Sequence, residues 1–322
     1  MSAMGTVSEP VRVTTPATSA NLGPGFDALG LALGLHDEVT ARATAGGLTV
    51  SVTGEGAGEL PTDERHLVVR SMAAAFEVIG TRPAGLDVAC TNRIPQARGL
   101  GSSSSAVVAG ILAARAIVAD GVARLPDEDV LCLAAELEGH PDNVAACLLG
   151  GFTIAWLEQG ALDRPRAVRL DPAETVRPVV FVPVERGLTE EARAALPERV
   201  PHVDAAFNAA RSALLVHALT GAPELLLAAT DDRLHQGYRA LAAPATAALV
   251  AALREAGVAA VVSGAGPSVL ALVDGDWRPP EPDGWAVRTL AFDTRGATVT
   301  IGTRSGSLEH AERDPVAAGR AG

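Results

Sequence analysis

The order of apolar patterns along the chain predicts an α+β protein made of two halves of similar size. Three observations carry this. Short alternating runs, the mark of half-buried strands, are interspersed with apolar stretches of helical length. Strand-like runs dominate the first fifty residues, and helical ones dominate the second half. Between them, near residues 162–171, lies a charged stretch with a proline that reads as a linker. The expected division is therefore residues 1–165, residues 166–302, and a polar, Gly/Ala-rich tail over 303–322.

Each element has its own signal. VRVTTPA alternates and reads as a strand; DEVTARAT and LTVSVTG follow as two more. Over residues 66–79, Leu67, Val68, Met72, Ala75, Phe76 and Ile79 form one helical stripe, which Gly80 ends. LDVACTNRI is a strand leading into PQARGLGSSSSAVVAG, and residues 106–119 have helical length. A helix over 127–137 is broken by Gly139-His140-Pro141, and Asp142-Asn143 start a short one. GGFTIAWLE and RPVVFVPVE read as strands. Helices are expected over 189–196, 203–219, 224–230 and 244–256, and VAAVVSGAGPSVLALV reads as strand, glycine turn, strand.

Composition limits the function. The chain has 322 residues and a formal net charge of −12, which argues against nucleic-acid or membrane-surface partners. All 26 basic residues are arginines. An anionic ligand must therefore be held by local arginines and backbone N–H groups. Cys90, Cys132 and Cys147 lie in apolar contexts without C-x-x-C spacing, so they read as buried thiols and not as a zinc or disulfide set. The N-terminus lacks a basic and apolar leader pattern, and no uncharged apolar run reaches about 18 residues. A cytoplasmic, soluble protein is expected.

The stretch from Pro95 to Gly110 carries the chemistry. A Walker-type loop needs a lysine after its second glycine, and this chain has none. A strand, a Gly-rich loop and a helix start can still bind an anion through unpaired N–H groups and the helix dipole. Gly99 and Gly101 permit close backbone approach. Ser102 to Ser105 can cap the helix, bond phosphate oxygens or ligate Mg²⁺. A capped helix that binds nothing is the other reading of the same residues. Ser263 to Ser268 taken alone is a hairpin turn; Asn21 and Asp27, set among glycines, suit either a ligand-facing loop or a pair of Asx turns.

Taken in order, three stretches resemble the GHMP small-molecule kinases: PATSANLGPGFDALGLAL, the run Pro95-Gln96-Ala97-Arg98-Gly99-Leu100-Gly101-Ser102-Ser103, and the Gly-rich Gly264-Ala265-Gly266. The first stretch, ELEGHPDNV, TEEAR and LHQGYR are similar to the branch whose substrate is L-homoserine. The likeness spans roughly residues 11–302. It implies a two-domain fold, the first domain like domain 2 of ribosomal protein S5 and the second an α/β sandwich, with the active site in the cleft between them. The implied activity is ATP-dependent phosphorylation of the homoserine hydroxyl, on the route to threonine. A homodimer is expected from the family.

The resemblance also implies site residues. ATP would lie along Pro95 to Ser105, including Ser104 and Ser105, with Ser103 and Glu136 at Mg²⁺. The substrate would be gripped by Asn21, Asp27, His140, Asn143, Arg193 and Arg239. Asp27 suits the ammonium, and the two arginines suit the carboxylate. Where mevalonate kinase has a catalytic aspartate, this chain has Asn143, which can orient a hydroxyl but cannot act as a base. Asp142 stands beside it, and the γ-phosphate is another destination for the proton.

Overall fold

The structure, a computed structural model, describes residues 5–160, 163–187 and 189–302. The expected tail over 303–322 lies outside the described residues. In chain order the elements are β1 (Val11–Ala20), β2 (Leu29–Thr44), β3 (Gly47–Gly54), α1 (Leu67–Ile79) and β4 (Gly85–Asn92). Then come α2 (Ser102–Ile117), α3 (Gly121–Arg124), α4 (Asp127–Glu138), α5 (Pro141–Leu149), β5 (Phe152–Glu158) and β6 (Arg164–Leu170). The remainder are β7 (Val176–Pro183), α6 (Thr189–Ala194), α7 (His202–Gly221), α8 (Leu226–Ala229), α9 (Gln236–Arg239), α10 (Pro244–Glu255), β8 (Ala259–Val262), β9 (Val269–Asp274), β10 (Trp285–Thr289) and β11 (Thr298–Ile301).

The strands form two sheets. The first runs β11-β1-β2-β4-β3, with β5 and β6 continuing from the N-terminal end of β2. β2 is 16 residues long, so its first residues pair with β5 and its last with β4. β3 and β4 are parallel, joined across α1. The second sheet runs β10-β7-β9-β8.

Two expectations about the boundary need correction. Residues 164–170 are not a linker: they pair along β5 as an antiparallel strand. Their arginines read as linker charge but bridge sideways, Arg164 to Asp129 and Arg166 to Glu128 and Glu158. A division at 165/166 would thus cut β6. The chain also returns at its end to the first sheet, where β11 pairs with β1.

Burial explains how the halves hold together. α2 is buried on nearly every side and forms a core with α1, α4 and one face of the first sheet, through residues such as Val107, Ile111, Met72 and Val88. A second core is shared between the halves: Leu22, Leu31, Leu100 and Phe152 pack with Val180, Leu215, Leu219 and Leu270. The alternation of β7 serves both faces of its sheet. Val176, Val180 and Val182 enter the shared core, and Val179 and Phe181 pack on the α10 side. Leu100, only 1% exposed, pins the glycine loop to the shared core. Burying such a side chain is worth roughly 1.5–3 kcal/mol. Cys90 and Cys147 are buried, and burial pushes the Cys90 thiol up to about 12; Cys132 is only half-buried, beside Arg164. Among the described residues no helix is long and apolar enough to cross a membrane.

Candidate active site

The glycine loop opens into a cleft lined by Asn21, Asp27, Glu138, His140, Asn143, Arg193, Arg239 and residues of the run from Pro95 to Ser103. The loop between β4 and α2 makes the floor. Gly101 sits at φ +70° as the N-cap, and α2 has no side-chain cap. The first-turn amides of Ser102, Ser103 and Ser104 thus keep free N–H groups at the positive end of the dipole. That is an anion site made without a cationic side chain.

The loop is held rigidly from behind. A Cβ on Gly99 would strike the Ser263 carbonyl and come within 2.9 Å of the Gly266 carbonyl. Ser263 Oγ donates to the Gly99 carbonyl at 2.7 Å, and the Gly264 N–H donates to the Ala20 carbonyl. The Gly-rich stretch of residues 263–268 is therefore more than a turn between β8 and β9: it buttresses both the glycine loop and the end of β1. A Cβ on Gly101 would collide with Thr18 Oγ1. A side chain at Gly101 would therefore press on β1 behind the loop.

The four serines divide their work. Ser103 Oγ donates to Glu138 Oε2 at 2.7 Å and Ser104 Oγ to Glu138 Oε1 at 2.9 Å. Ser105 Oγ is buried against Thr15 at 2.8 Å and Asp37 at 3.4 Å, so its hydroxyl serves the fold and not a phosphate. Asp37 is pushed above the usual carboxylate range by burial, partly opposed by the Ile94 and Arg93 amides and by Ser105. Arg98 spends its guanidinium on the carbonyls of Pro183, Gln96 and Val184, tying the loop to the end of β7.

Glu136, expected beside Ser103 at the metal, does not meet that serine: the carboxylate bonded to Ser103 is that of Glu138. Glu136 is exposed and lines an adjoining outer pocket with Trp156 and Arg164, which shares Asp27, His140 and Arg193 with the cleft but not the serines. Two residues on a helix differ by about 200°, so both glutamates of ELEG cannot face one site. Glu138 follows the buried Ala134 and Ala135 of α4 by four and three residues, which turns it toward α2. That phase was readable from the sequence.

Opposite the serines lies a charged wall. Asn21 and Asp27 sit in left-handed backbone at φ +69° and +55°, a conformation that side-chain-bearing residues adopt rarely and often at sites. Both ends of the Asn21 amide are engaged: Nδ2 donates to the Gly264 carbonyl at 2.8 Å, and Oδ1 accepts the Asp27 N–H at 3.0 Å. Asp27 forms a bidentate pair with Arg193, at 3.0 and 3.1 Å. That bond holds Arg193 more firmly protonated than usual, against partial burial. Arg239 is 5% exposed and donates to the Ala192 carbonyl and to His235 Nδ1. Both guanidiniums lie near the Phe26 ring, Arg239 at 5.5 Å.

At the start of α5, His140 bonds Asp142 Oδ1 at 2.7 Å, and the same oxygen accepts the Asn143 N–H at 2.7 Å. The bond to Asp142 pushes the His140 pKa up; burial opposes this, and the charges of Asp142 and Glu138 add to it. Asp142 itself is 2% exposed. Asn143 Oδ1 accepts from Thr18 Oγ1 at 2.7 Å, a contact that a threonine in an ordinary strand pattern does not announce.

A cleft between two sheets, floored by a lysine-free anion loop, is the arrangement of a small-molecule kinase. Residues 66–151 match the GHMP kinases N terminal domain, and residues 210–278 match the GHMP kinases C terminal domain. The homoserine kinase of Streptomyces coelicolor is 58% identical over 293 residues, covering 90% of this chain and 94% of that protein. The crystal structure of homoserine kinase from Cytophaga hutchinsonii superposes with a TM-score of 0.75 at 26% identity, over 92% of this chain and 99% of that one. L. major mevalonate kinase, 16% identical, shares the fold with a TM-score of 0.63 over 84% of this chain and 90% of that one. The chain belongs to the GHMP kinases and, within them, to the homoserine kinases.

Proposed function

We propose that this protein transfers the γ-phosphoryl group of ATP to the side-chain hydroxyl of L-homoserine, giving O-phospho-L-homoserine for threonine biosynthesis in the cytoplasm. The observation that carries this is the charge pattern beside the anion loop. Asp27 offers one carboxylate, and Arg193 and Arg239 offer two guanidiniums, in one cleft. Together they complement a zwitterion with an ammonium and a carboxylate.

The nucleotide phosphates would rest on the first-turn amides of α2. The base would enter the neighbouring pocket, lined by Leu60, Pro61, Leu67, Val68 and Ala106. His66 stands on that pocket's wall. Its Nδ1 accepts the Val68 N–H, so in the neutral ring Nε2 carries the hydrogen, and it is buried without a protein partner. Burial lowers the His66 pKa and favours that neutral form.

Glu138, with Ser103 and Ser104, fits Mg²⁺. All are oxygen donors, and Mg²⁺ is usually held by one or two carboxylates together with substrate phosphates. When bound, the ion would offset charge on the phosphates during transfer. His140, Arg193 and Arg239 would hold the substrate carboxylate, and Asp27 the ammonium. Asn143 would orient the hydroxyl. Phosphoryl transfer depends chiefly on such positioning and charge stabilisation. We carry the homodimer forward with this reading; sedimentation equilibrium tests it.

The decisive experiment offers purified protein Mg·ATP with homoserine, its analogue lacking the amino group, mevalonate and galactose. Turnover confined to homoserine is the expected result. Preference for an alcohol without an ammonium would overturn the substrate, and no turnover of any of them would overturn the kinase reading.

A further inference from the structure

Thr18 is fully buried near the end of β1. Its hydroxyl donates to Asn143 Oδ1 at 2.7 Å, linking two positions 125 residues apart. The importance lies at the other end of the amide. An amide holds its acceptor oxygen and its donor NH₂ in one plane. With Oδ1 turned to Thr18, the NH₂ is the end left for the cleft, where Asn143 stands with Asp27, His140 and Arg193. Two backbone contacts fix the frame: the Thr18 N–H donates to the Leu100 carbonyl at 3.0 Å, and the Asn143 N–H donates to Asp142 Oδ1.

We propose that Thr18 is a positioning residue for phosphoryl transfer: its hydroxyl fixes the Asn143 amide so that N–H, and not C=O, meets the reacting hydroxyl of the substrate. The proposal rests on the homoserine kinase reading above. The donor from Nδ2 occupies one lone pair of the substrate oxygen. Another lone pair forms the new O–P bond while the bond from the γ-phosphorus to the bridging oxygen breaks, its electron pair leaving on ADP. Asn143 cannot receive the hydroxyl proton, because a neutral amide is not a base. The proton passes to a non-bridging oxygen of the transferred group, so the phosphorylated product carries it before releasing it to water. Thr18 thus sets which end of Asn143 reacts without touching the substrate.

The test is steady-state kinetics for both substrates with Thr18→Val, Thr18→Ser, Asn143→Ala and the Thr18→Val/Asn143→Ala double variant, alongside thermal unfolding. Loss of one such hydrogen bond should lower kcat roughly 10- to 100-fold in Thr18→Val. KM for ATP and for homoserine should stay within about threefold, since neither substrate loses a direct contact. Thr18→Ser keeps the donor and should restore most of the turnover. In the Asn143→Ala background Thr18→Val should cost little more, because there is no amide left to orient. A Thr18→Val enzyme with wild-type kcat would overturn the proposal. So would an equal loss in the Asn143→Ala background. A loss confined to the KM for ATP would overturn it as well, and would make Thr18 a prop for the glycine loop. Those failures leave wild-type turnover of homoserine intact; a wild type inactive on homoserine would overturn the substrate reading and this proposal together.

Discussion

Replacing Glu138 with glutamine separates the two glutamates of ELEG by experiment. Glu138 ends α4 and accepts from Ser103 at 2.7 Å and Ser104 at 2.9 Å, one serine on each carboxylate oxygen. Glutamine has a single acceptor oxygen and no charge, so one serine loses its acceptor. Charge-assisted hydrogen bonds are worth about 1.5–3 kcal/mol each when dry. Glu138 is only half-buried. Solvent screening brings the stability cost down to about 1 kcal/mol, a Tm shift of roughly 2–4 °C. Catalysis should suffer far more. Among the described residues Glu138 is the carboxylate bonded to Ser103 and Ser104. Removing one preorganised electrostatic group of that kind costs about 10²–10³ in kcat. Steady-state kinetics with Mg²⁺ titration and a thermal scan provide the measurement. Glu136→Gln, exposed and facing the outer pocket, should change kcat less than about twofold, as surface substitutions usually do. If Glu136→Gln loses activity and Glu138→Gln keeps most of it, the helix-phase argument is wrong.

Three further outcomes follow from the same geometry. Arg193→Lys keeps the charge but loses the planar fork that faces Asp27; kcat/KM for homoserine should fall about 10- to 150-fold with ATP affinity unchanged, and an effect on ATP alone would count against it. Gly99→Ala drives a Cβ into the Ser263 carbonyl at φ +71°, so both Tm and ATP affinity should drop; unchanged values for both would dissociate the loop from its buttress. His235 is buried, and burial lowers its pKa. The folded protein then binds the proton less readily than the unfolded chain, so this group's contribution is intact above the unfolded value near pH 6.5 and is lost as pH falls below it. His235→Gln should shrink the Tm difference between about pH 7.5 and pH 5.5, and an identical difference would refute the assignment.

What could be read from the chain divides by range. Local patterns served well: the helix of residues 66–79 and the strand either side of residues 263–268 follow from spacing and glycine placement. Features that depend on distant partners did not show. Arg164 to Leu170 reads as a charged connector because its ion-pair partners on α4 lie some 35 residues away. β10 and β11 were not foreseen: each is short, and each takes its pairing from a strand far back in sequence. The motif alone points to Glu136, because likeness to a motif does not count helix phase. Thr18 and the Ser263–Gly99 contact carried no local signal, since a hydroxyl in a strand or turn is common and its partner is set by the fold.

The Asp27–Arg193 pair gives the cleft a reason to choose a zwitterion. Both side chains are substantially exposed, at 36% and 43%. An exposed pair is worth about 0–1 kcal/mol, so opening it costs little. In the proposed binding mode homoserine would replace both halves at once, its ammonium taking Asp27 and its carboxylate taking Arg193. Each partner exchanges one charged contact for another, inside a cleft where closing around the ligand removes water and strengthens both. An alcohol with a carboxylate but no ammonium could satisfy Arg193 only by leaving Asp27 unpaired. That imbalance costs roughly 1.5–3 kcal/mol, which is about 10- to 150-fold in kcat/KM. Arg239 would not relieve it: its Nε donates to the Ala192 carbonyl and its Nη1 to His235, and the rest of its guanidinium would face the substrate carboxylate. On the proposed reading, discrimination would come from a weak pair that the correct substrate exchanges completely and an incomplete one breaks without repairing.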